Sequence, residues 1–186
     1  QVDVLIHLMA HTPNVPYDSL LNCIHWNLIE SLILFEKAKE SQIKHYIVAG
    51  TCFEYGSSGS NYDFIPVEAP LLPTNSYATS KALASLAFLH WAKESMISLH
   101  IIRPFQVYGP GELSTRLWPS LFNAAQLQLD FSMTKGEQVR DFIHVSDVAN
   151  FFLNSATESF LSESSNVKVS NCGSGHPISI RQFCEY

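Results

Sequence analysis

The chain has 186 residues, 46% hydrophobic and 12% aromatic, which is enough apolar material for a folded core and too much for a disordered segment. With 17 acidic residues against 11 Lys and Arg, the formal charge of -6 excludes a general attraction to nucleic acid or to an anionic membrane surface, though not a local basic pocket. No apolar run approaches the roughly 20 residues that a membrane helix needs, and no signal peptide is visible. Cys23, Cys52, Cys172 and Cys184 form no CxxC pair and no zinc-ligand spacing, so reduced thiols and a cytoplasmic location are expected. His7 and His11 straddle the end of a strand, and no acidic ligand follows at useful spacing, so no metal site is expected.

The chain opens at Gln1 directly into VDVLIHLMA, which reads as a buried strand from Val2 to Leu8. From Asn22 to Lys39 the spacing of Leu28, Leu32 and Phe35 is helical, and Lys37 and Lys39 suit the helix C-terminus. HYIVAG, from His45 to Gly50, reads as a second buried strand. A polar loop, GSSGSNYD, and Pro66, Pro70 and Pro73 lead to a helix over Ser76 to Ser95, and a third strand follows over Leu99 to Arg103. This alternation predicts an α/β fold with a parallel sheet, whose ligands lie beyond the carboxyl ends of the strands.

Beyond Pro110 the sequence predicts a helix over Pro119 to Leu127, a strand at RDFIH, a helix through DVANFFLNSA, a strand at VKVSN and a last helix starting near Ile178. Both chain ends are expected to cut through structure. The segments GSSGS and GSG lack the strand-to-helix context of a phosphate loop and read as flexible connections.

YATSK places Tyr77 and Lys81 four residues apart, on one helical face. An ammonium near a phenol favours the phenolate, so the pair is suited to proton transfer, with Lys81 expected to lower the Tyr77 pKa. Thr51, at the end of the second strand, is placed to hold a substrate oxygen. By spacing alone an ordinary helix surface beside a turn threonine is the commoner reading.

VAGTCFEYG, P-TNS-YATSK, IIRPFQVYGPGE and GEQVRDFIHVSDVA occur in that order, preceded by VDVLIHLMA and followed by VSNCGSGHPISIRQF. Together they resemble the extended short-chain dehydrogenase/reductase family, the NAD-dependent epimerase/dehydratases of nucleotide sugars. The resemblance covers essentially the whole chain. It implies a partial Rossmann-like, doubly wound parallel sheet with part of a smaller C-terminal substrate lobe. Residues 1–106 would belong to the dinucleotide-binding domain, and residues 107–186 to a nucleotide-sugar-binding lobe interleaved with the last sheet strands.

On that resemblance, Tyr77 would be the catalytic acid/base, Lys81 would bind the nicotinamide ribose, and Thr51 would hold the reacting oxygen. Leu8, Met9, Ala10 and Thr12 would line the cofactor. Asn27 would lie near it, and Phe105 would pack near the nicotinamide. Arg140 would bind the diphosphate, for which a bidentate guanidinium is suited; its other reading is a surface ion pair with Asp141 or Glu137. Arg116 and Leu117 would cover the nucleotide. Gln106 stands where the family has Asn, and His144 and Asp147 would be structural.

The resemblance also implies NAD or NADP as cofactor, a nucleotide-diphosphate sugar as substrate and a homodimer through the Tyr77 helix. The glycine fingerprint of the family is absent, so the chain is expected to be a fragment lacking the first three strands and to bind dinucleotide weakly or not at all. Cys52 and Phe53 stand where the family's 4,6-dehydratases carry acids, which disfavours dehydration. Glu54 would point to the opposite face of an extended segment. The reaction expected first is reduction of a nucleotide-linked 4-keto-6-deoxyhexose at C4. A nucleotide-sugar 4-epimerase is the alternative, and a non-catalytic cofactor sensor of the same fold is the third.

Overall fold

The computed structural model describes residues 2–11, 14–162 and 165–185, so Gln1 and Thr12 lie outside the described residues. The first four elements are β1 (Val4–His7), α1 (Leu20–Ile24), α2 (Glu30–Glu40) and β2 (His45–Ala49). α3 (Ser76–Ser95), β3 (Ser98–Pro104), β4 (Gln106–Tyr108), α4 (Leu117–Gln126) and β5 (Val139–His144) follow. α5 (Val145–Leu161), β6 (Val167–Cys172), β7 (Pro177–Ser179) and α6 (Ile180–Glu185) complete the order. The chain divides into two units, residues 1–104 with 151–171, and residues 105–150 with 172–186.

In the first unit the sheet order is β1-β2-β3-β6, with β1, β2 and β3 parallel and His45 in register with both Val4 and Ser98. This is the predicted α/β architecture. Both faces of β2 and β3 are covered, so Tyr46, Ile47, Val48, Leu99, Ile101 and Ile102 are buried, and the polar Ser98, His100 and Arg103 of β3 are buried with them. Phe35 of α2 anchors one face of this sheet. Its ring lies 5.4 Å from Tyr46, 4.8 Å from Phe88 of α3 and 5.5 Å from Trp91. Truncation of Phe35 to Ala should cost about 3–5 kcal/mol, read as a lower midpoint in urea unfolding without a change of slope.

The single helix expected from Asn22 to Lys39 is instead α1 and α2 joined through a π-helical turn, His25–Ile29. Such turns accommodate an inserted residue and mark places where side-chain bonding overrides the regular ladder. α3 begins as expected, with the Asn75 side chain accepting from the Ala78 N–H at 2.8 Å, and ends at Met96 in the left-handed conformation (φ 54°).

Two histidines are buried in this unit. His7 Nε2 lies 3.0 Å from Ser31 Oγ, and His100 Nε2 lies 2.9 Å from Ser170 Oγ, while His100 Nδ1 has no partner among the described residues. Burial lowers both to about 4 from 6.5, helped by the charge of Lys81 for His7 and of Lys168 for His100. Between these values the unfolded chain binds more protons than the native one, so the stability from neutral burial is complete above 6.5 and is lost as pH falls towards 4. Melting temperature should therefore fall between pH 7 and pH 5, and fall less steeply in His100→Gln; an unchanged slope in that variant would remove His100 from the account.

In the second unit β4 runs parallel to β5, pairing Gln106 with Phe142, and β5 runs antiparallel to β7, pairing Arg140 with Ile178. The Asp141 carboxylate accepts from the Ser174 N–H at 2.7 Å, the Ser174 hydroxyl at 2.6 Å and the Gly175 N–H at 2.9 Å, and so ties down the GSG turn. A Cβ on Gly173 would meet Asp141 at 2.5 Å, which explains glycine there. Phe142 and Phe183 stack at 3.9 Å beside a cleft of about 690 Å³ that Tyr108, Trp118 and Phe122 also line. Among the described residues no helix is long and apolar enough to cross a membrane, and no disulfide joins any of the four cysteines.

Candidate active site

The site grows from the carboxyl end of β2. The strand stops at Ala49 and turns at Gly50, where a Cβ would meet Glu54 Oε1 at 2.7 Å and Arg103 Cγ at 3.0 Å. Thr51 is extended and caps a single 3₁₀ turn, Cys52–Glu54. Its hydroxyl accepts from the Phe53 N–H at 3.3 Å, and Glu54 Oε1 accepts from the Thr51 N–H at 2.8 Å, a reciprocal capping box. This corrects the extended reading of the segment. Glu54 does not point away; it folds back beneath Thr51 and is fully buried.

A charge buried that deeply needs a partner, and Arg103 at the end of β3 supplies it, with Nε donating to Glu54 Oε2 at 2.8 Å. The guanidinium also donates to the Tyr55 hydroxyl at 3.0 Å and lies 4.8 Å from the Tyr55 ring. Tyr55 in turn donates to Asn171 Oδ1 at 2.6 Å, and Asn171 Nδ2 donates to the Ile65 carbonyl at 2.8 Å. Every member of this chain is anchored, so Thr51 stands on a rigid support.

α3 brings Tyr77 and Lys81 to the same place. Tyr77 is 6% exposed, the Thr51 hydroxyl stands near enough to its phenol to act on it, and its ring stacks on Tyr17 at 6.2 Å. Burial pushes the phenol up to about 12, the Glu54 charge adds to this, and the Thr51 hydroxyl opposes it. Lys81 is buried and donates to the Ala49 carbonyl at 2.6 Å. Burial lowers its pKa, and the Glu54 charge works the other way. The expected depression of Tyr77 by Lys81 is therefore corrected: desolvation dominates and the phenol is held neutral.

Asn27, on the π-helical turn, is buried and its amide is taken up by the protein. It accepts from the His11 N–H at 2.6 Å and donates to the His11 carbonyl at 3.3 Å and to Ser80 Oγ at 2.9 Å. Asn27 thus fastens the segment after β1 to α3. Leu8, Met9 and Ala10, on that segment, are exposed. His11 turns to Asp18, 2.9 Å away, while His7 turns to Ser31, so the two histidines share no partner.

The remaining sequence candidates lie in the second unit. Phe105 is half-buried and its N–H donates to the Cys172 carbonyl at 2.9 Å; Gln106 is half-buried on β4. Arg116 precedes α4 and donates to Glu112 Oε1 at 2.5 Å, and Leu117 begins that helix. Arg140 is exposed, donates to the Val139 carbonyl at 2.7 Å and forms no ion pair among the described residues, since Asp141 is committed to the GSG turn. His144 Nδ1 meets Ser146 at the start of α5.

Sequence reasoning missed Glu54, Arg103, Tyr55 and Tyr17. The first two carried a signal: T-C-F-E fits the capping-box spacing, and an Arg ending the apolar run LHIIRP needs a buried acid. Tyr17 carried none, since its stacking on Tyr77 depends on a loop path.

Against known proteins, the family described as "NAD dependent epimerase/dehydratase family" matches residues 1–169. The chain is similar to human dTDP-D-glucose 4,6-dehydratase, 24% identical over 188 residues, spanning 100% of this chain and 51% of that protein. It is 28% identical to UDP-arabinose 4-epimerase 1 of Arabidopsis thaliana over 178 residues, covering 83% of this chain and 41% of the relative. Among solved structures it superposes on a UDP-N-acetylglucosamine 4-epimerase from Methanobrevibacter ruminantium M1 in complex with UDP-N-acetylmuramic acid, with TM-score 0.84 and 26% identity, covering 98% of this chain and 58% of that one. The chain spans about half the length of the curated relatives it matches. With the parallel sheet and the ordered motifs, the match over residues 1–169 settles the family: this chain belongs to the NAD-dependent epimerase/dehydratases.

Proposed function

We propose that the full-length protein is an NAD(P)-dependent oxidoreductase that reduces a nucleotide-diphosphate-linked 4-keto-6-deoxyhexose at C4. The observation that carries this reading is that buried Tyr77 and Lys81 of α3 meet the Thr51 end of β2, with Lys81 on the Ala49 carbonyl at 2.6 Å and the phenol held protonated. A keto oxygen held by the Thr51 hydroxyl would take its proton from Tyr77 as the carbonyl is reduced. When bound, the reduced nicotinamide supplies the hydride. The Lys81 ammonium has three protons and gives one to Ala49, which leaves donors suited to a vicinal diol such as a ribose.

Dehydration is disfavoured on the same geometry, because Cys52 and Phe53 carry no carboxylate and the Glu54 carboxylate is spent on Thr51 and Arg103. A 4-epimerase is the second reading, favoured by the likeness to UDP-arabinose 4-epimerase 1, and it would use the same three residues. In the proposed division of labour, residues 1–106 bind dinucleotide with Leu8, Met9, Ala10 and Phe105 against it, and residues 107–186 bind the nucleotide-diphosphate sugar. Arg140 and Arg116 suit a diphosphate by their bidentate guanidinium groups, with Gln106 and Leu117 completing the substrate contacts. Homodimerisation through α3 belongs to the same reading, supported by the exposure of Leu83 and Leu86 on that helix.

The test incubates the full-length protein with a nucleotide-linked 4-keto-6-deoxyhexose and NADPH or NADH. Stoichiometric loss of the reduced cofactor is the expected result and also identifies the cofactor. No loss, with a nucleotide hexose converted to its C4 epimer in a parallel sample, would move the assignment to epimerase.

A further inference from the structure

Between the two strand ends lies a carboxylate that the proposed chemistry does not use. Glu54 is fully buried, with one oxygen on the Thr51 N–H at 2.8 Å and the other on Arg103 Nε at 2.8 Å. Glycine at position 50 is needed for it to fit, since any Cβ there would meet Glu54 Oε1 at 2.7 Å.

We propose that Glu54, clamped by Arg103, is a positioning residue of the reaction centre: it fixes the Thr51 backbone, and with it the Thr51 hydroxyl, at the carboxyl end of β2. The proposal rests on reading Thr51, Tyr77 and Lys81 as that centre. The groups acting on Tyr77 are Glu54, Thr51 and Cys52 from the turn after β2 and Tyr17 from the loop before α1, while Lys81 lies one helical turn further along α3. The groups on Glu54 are the Thr51 N–H and Arg103, with Tyr55 beyond the guanidinium. Glu54 is the carboxylate common to both titrating groups: its charge raises Tyr77 and opposes the lowering of Lys81. Removing it should bring the phenol down, whichever direction the reaction runs.

Two variants separate the hydrogen bond from the charge without leaving a lone buried ion. Glu54→Gln with Arg103→Met keeps an acceptor for the Thr51 N–H and removes both charges; Glu54→Met with Arg103→Met removes the acceptor too. In the full-length protein, the second should turn over roughly tenfold more slowly than the first with similar KM, as expected of a misplaced hydroxyl. In both, the apparent pKa of the pH–rate profile should move down, because of the two charges removed Glu54 is the one that bears on Tyr77. Equal kcat in the two variants and an unmoved pKa would overturn the proposal and leave Glu54 a plain structural cap.

A second readout is independent of turnover. With ¹³Cζ-labelled tyrosine and Tyr77→Phe for assignment, the Tyr77 resonance should titrate at lower pH in the Gln/Met variant than in wild type. Glu54→Asp, which keeps the charge on a shorter arm, should retain the wild-type titration while lowering kcat. If wild type proves inactive but the Tyr77 titration moves as stated, the functional reading fails and the Glu54 coupling stands. If turnover is found but the titration does not move, the coupling fails and the functional reading stands.

Discussion

Tyr77→Phe should lower turnover by about 10²–10⁴-fold, the usual contribution of a positioned acid/base, while costing no more than about 1 kcal/mol of stability, the net value of one hydrogen bond. The ring keeps its place: it is buried and stacks on Tyr17 at 6.2 Å, and only the hydroxyl is lost. Thr51 keeps the Phe53 N–H at 3.3 Å and the support of Glu54. A large loss of kcat at an almost unchanged melting temperature is therefore the signature of a chemical role. Parallel loss of both would make Tyr77 a packing residue, and unchanged activity would favour a cofactor sensor.

Arg103→Met should be the most destabilising single change in the first unit outside the apolar core. It leaves the Glu54 carboxylate buried without its counter-ion, which typically costs about 3–5 kcal/mol. The melting temperature should fall by roughly 2–4 °C per kcal/mol for a chain of this size. Tyr55 also loses its guanidinium neighbour at 3.0 Å. Adding Glu54→Met should recover most of the loss, because replacing a whole buried pair with apolar side chains is commonly neutral. Thermal unfolding of the two variants checks this. A single variant as stable as wild type would mean that water reaches Glu54, contrary to its complete burial.

The parallel sheet was legible because β1, β2 and the centre of β3 are rich in apolar residues, and α3 spans Ser76–Ser95, the range expected after the prolines that precede it. β4 and β7, with three residues each, are too short to leave a periodic signal and are held by pairing with β5. The π-helical turn was hidden for another reason: Asn27 bonds to His11 and Ser80, distant in sequence, and those bonds decide the local winding.

At the site, the shared face of Tyr77 and Lys81 follows from helical spacing, and Thr51 from its place after a strand. The state of the phenol could not be read that way. Proximity of an ammonium suggests a lowered pKa, but burial outweighs it, and burial is a property of the packed chain. Glu54 shows how one wrong local geometry misplaces a side chain. An extended segment sends the fourth residue outward, whereas a 3₁₀ turn returns it beneath Thr51.

The most direct measurement supplies the full-length protein with a nucleotide-linked 4-keto-6-deoxyhexose and reduced cofactor deuterated at C4 of the nicotinamide, then weighs the sugar product. The expected result is one deuterium at sugar C4, incorporated about 10²–10⁴-fold more slowly by Tyr77→Phe. A sugar product without deuterium, or the same rate of incorporation in Tyr77→Phe, would contradict the assignment of Thr51, Tyr77 and Lys81 as a C4 ketoreductase centre.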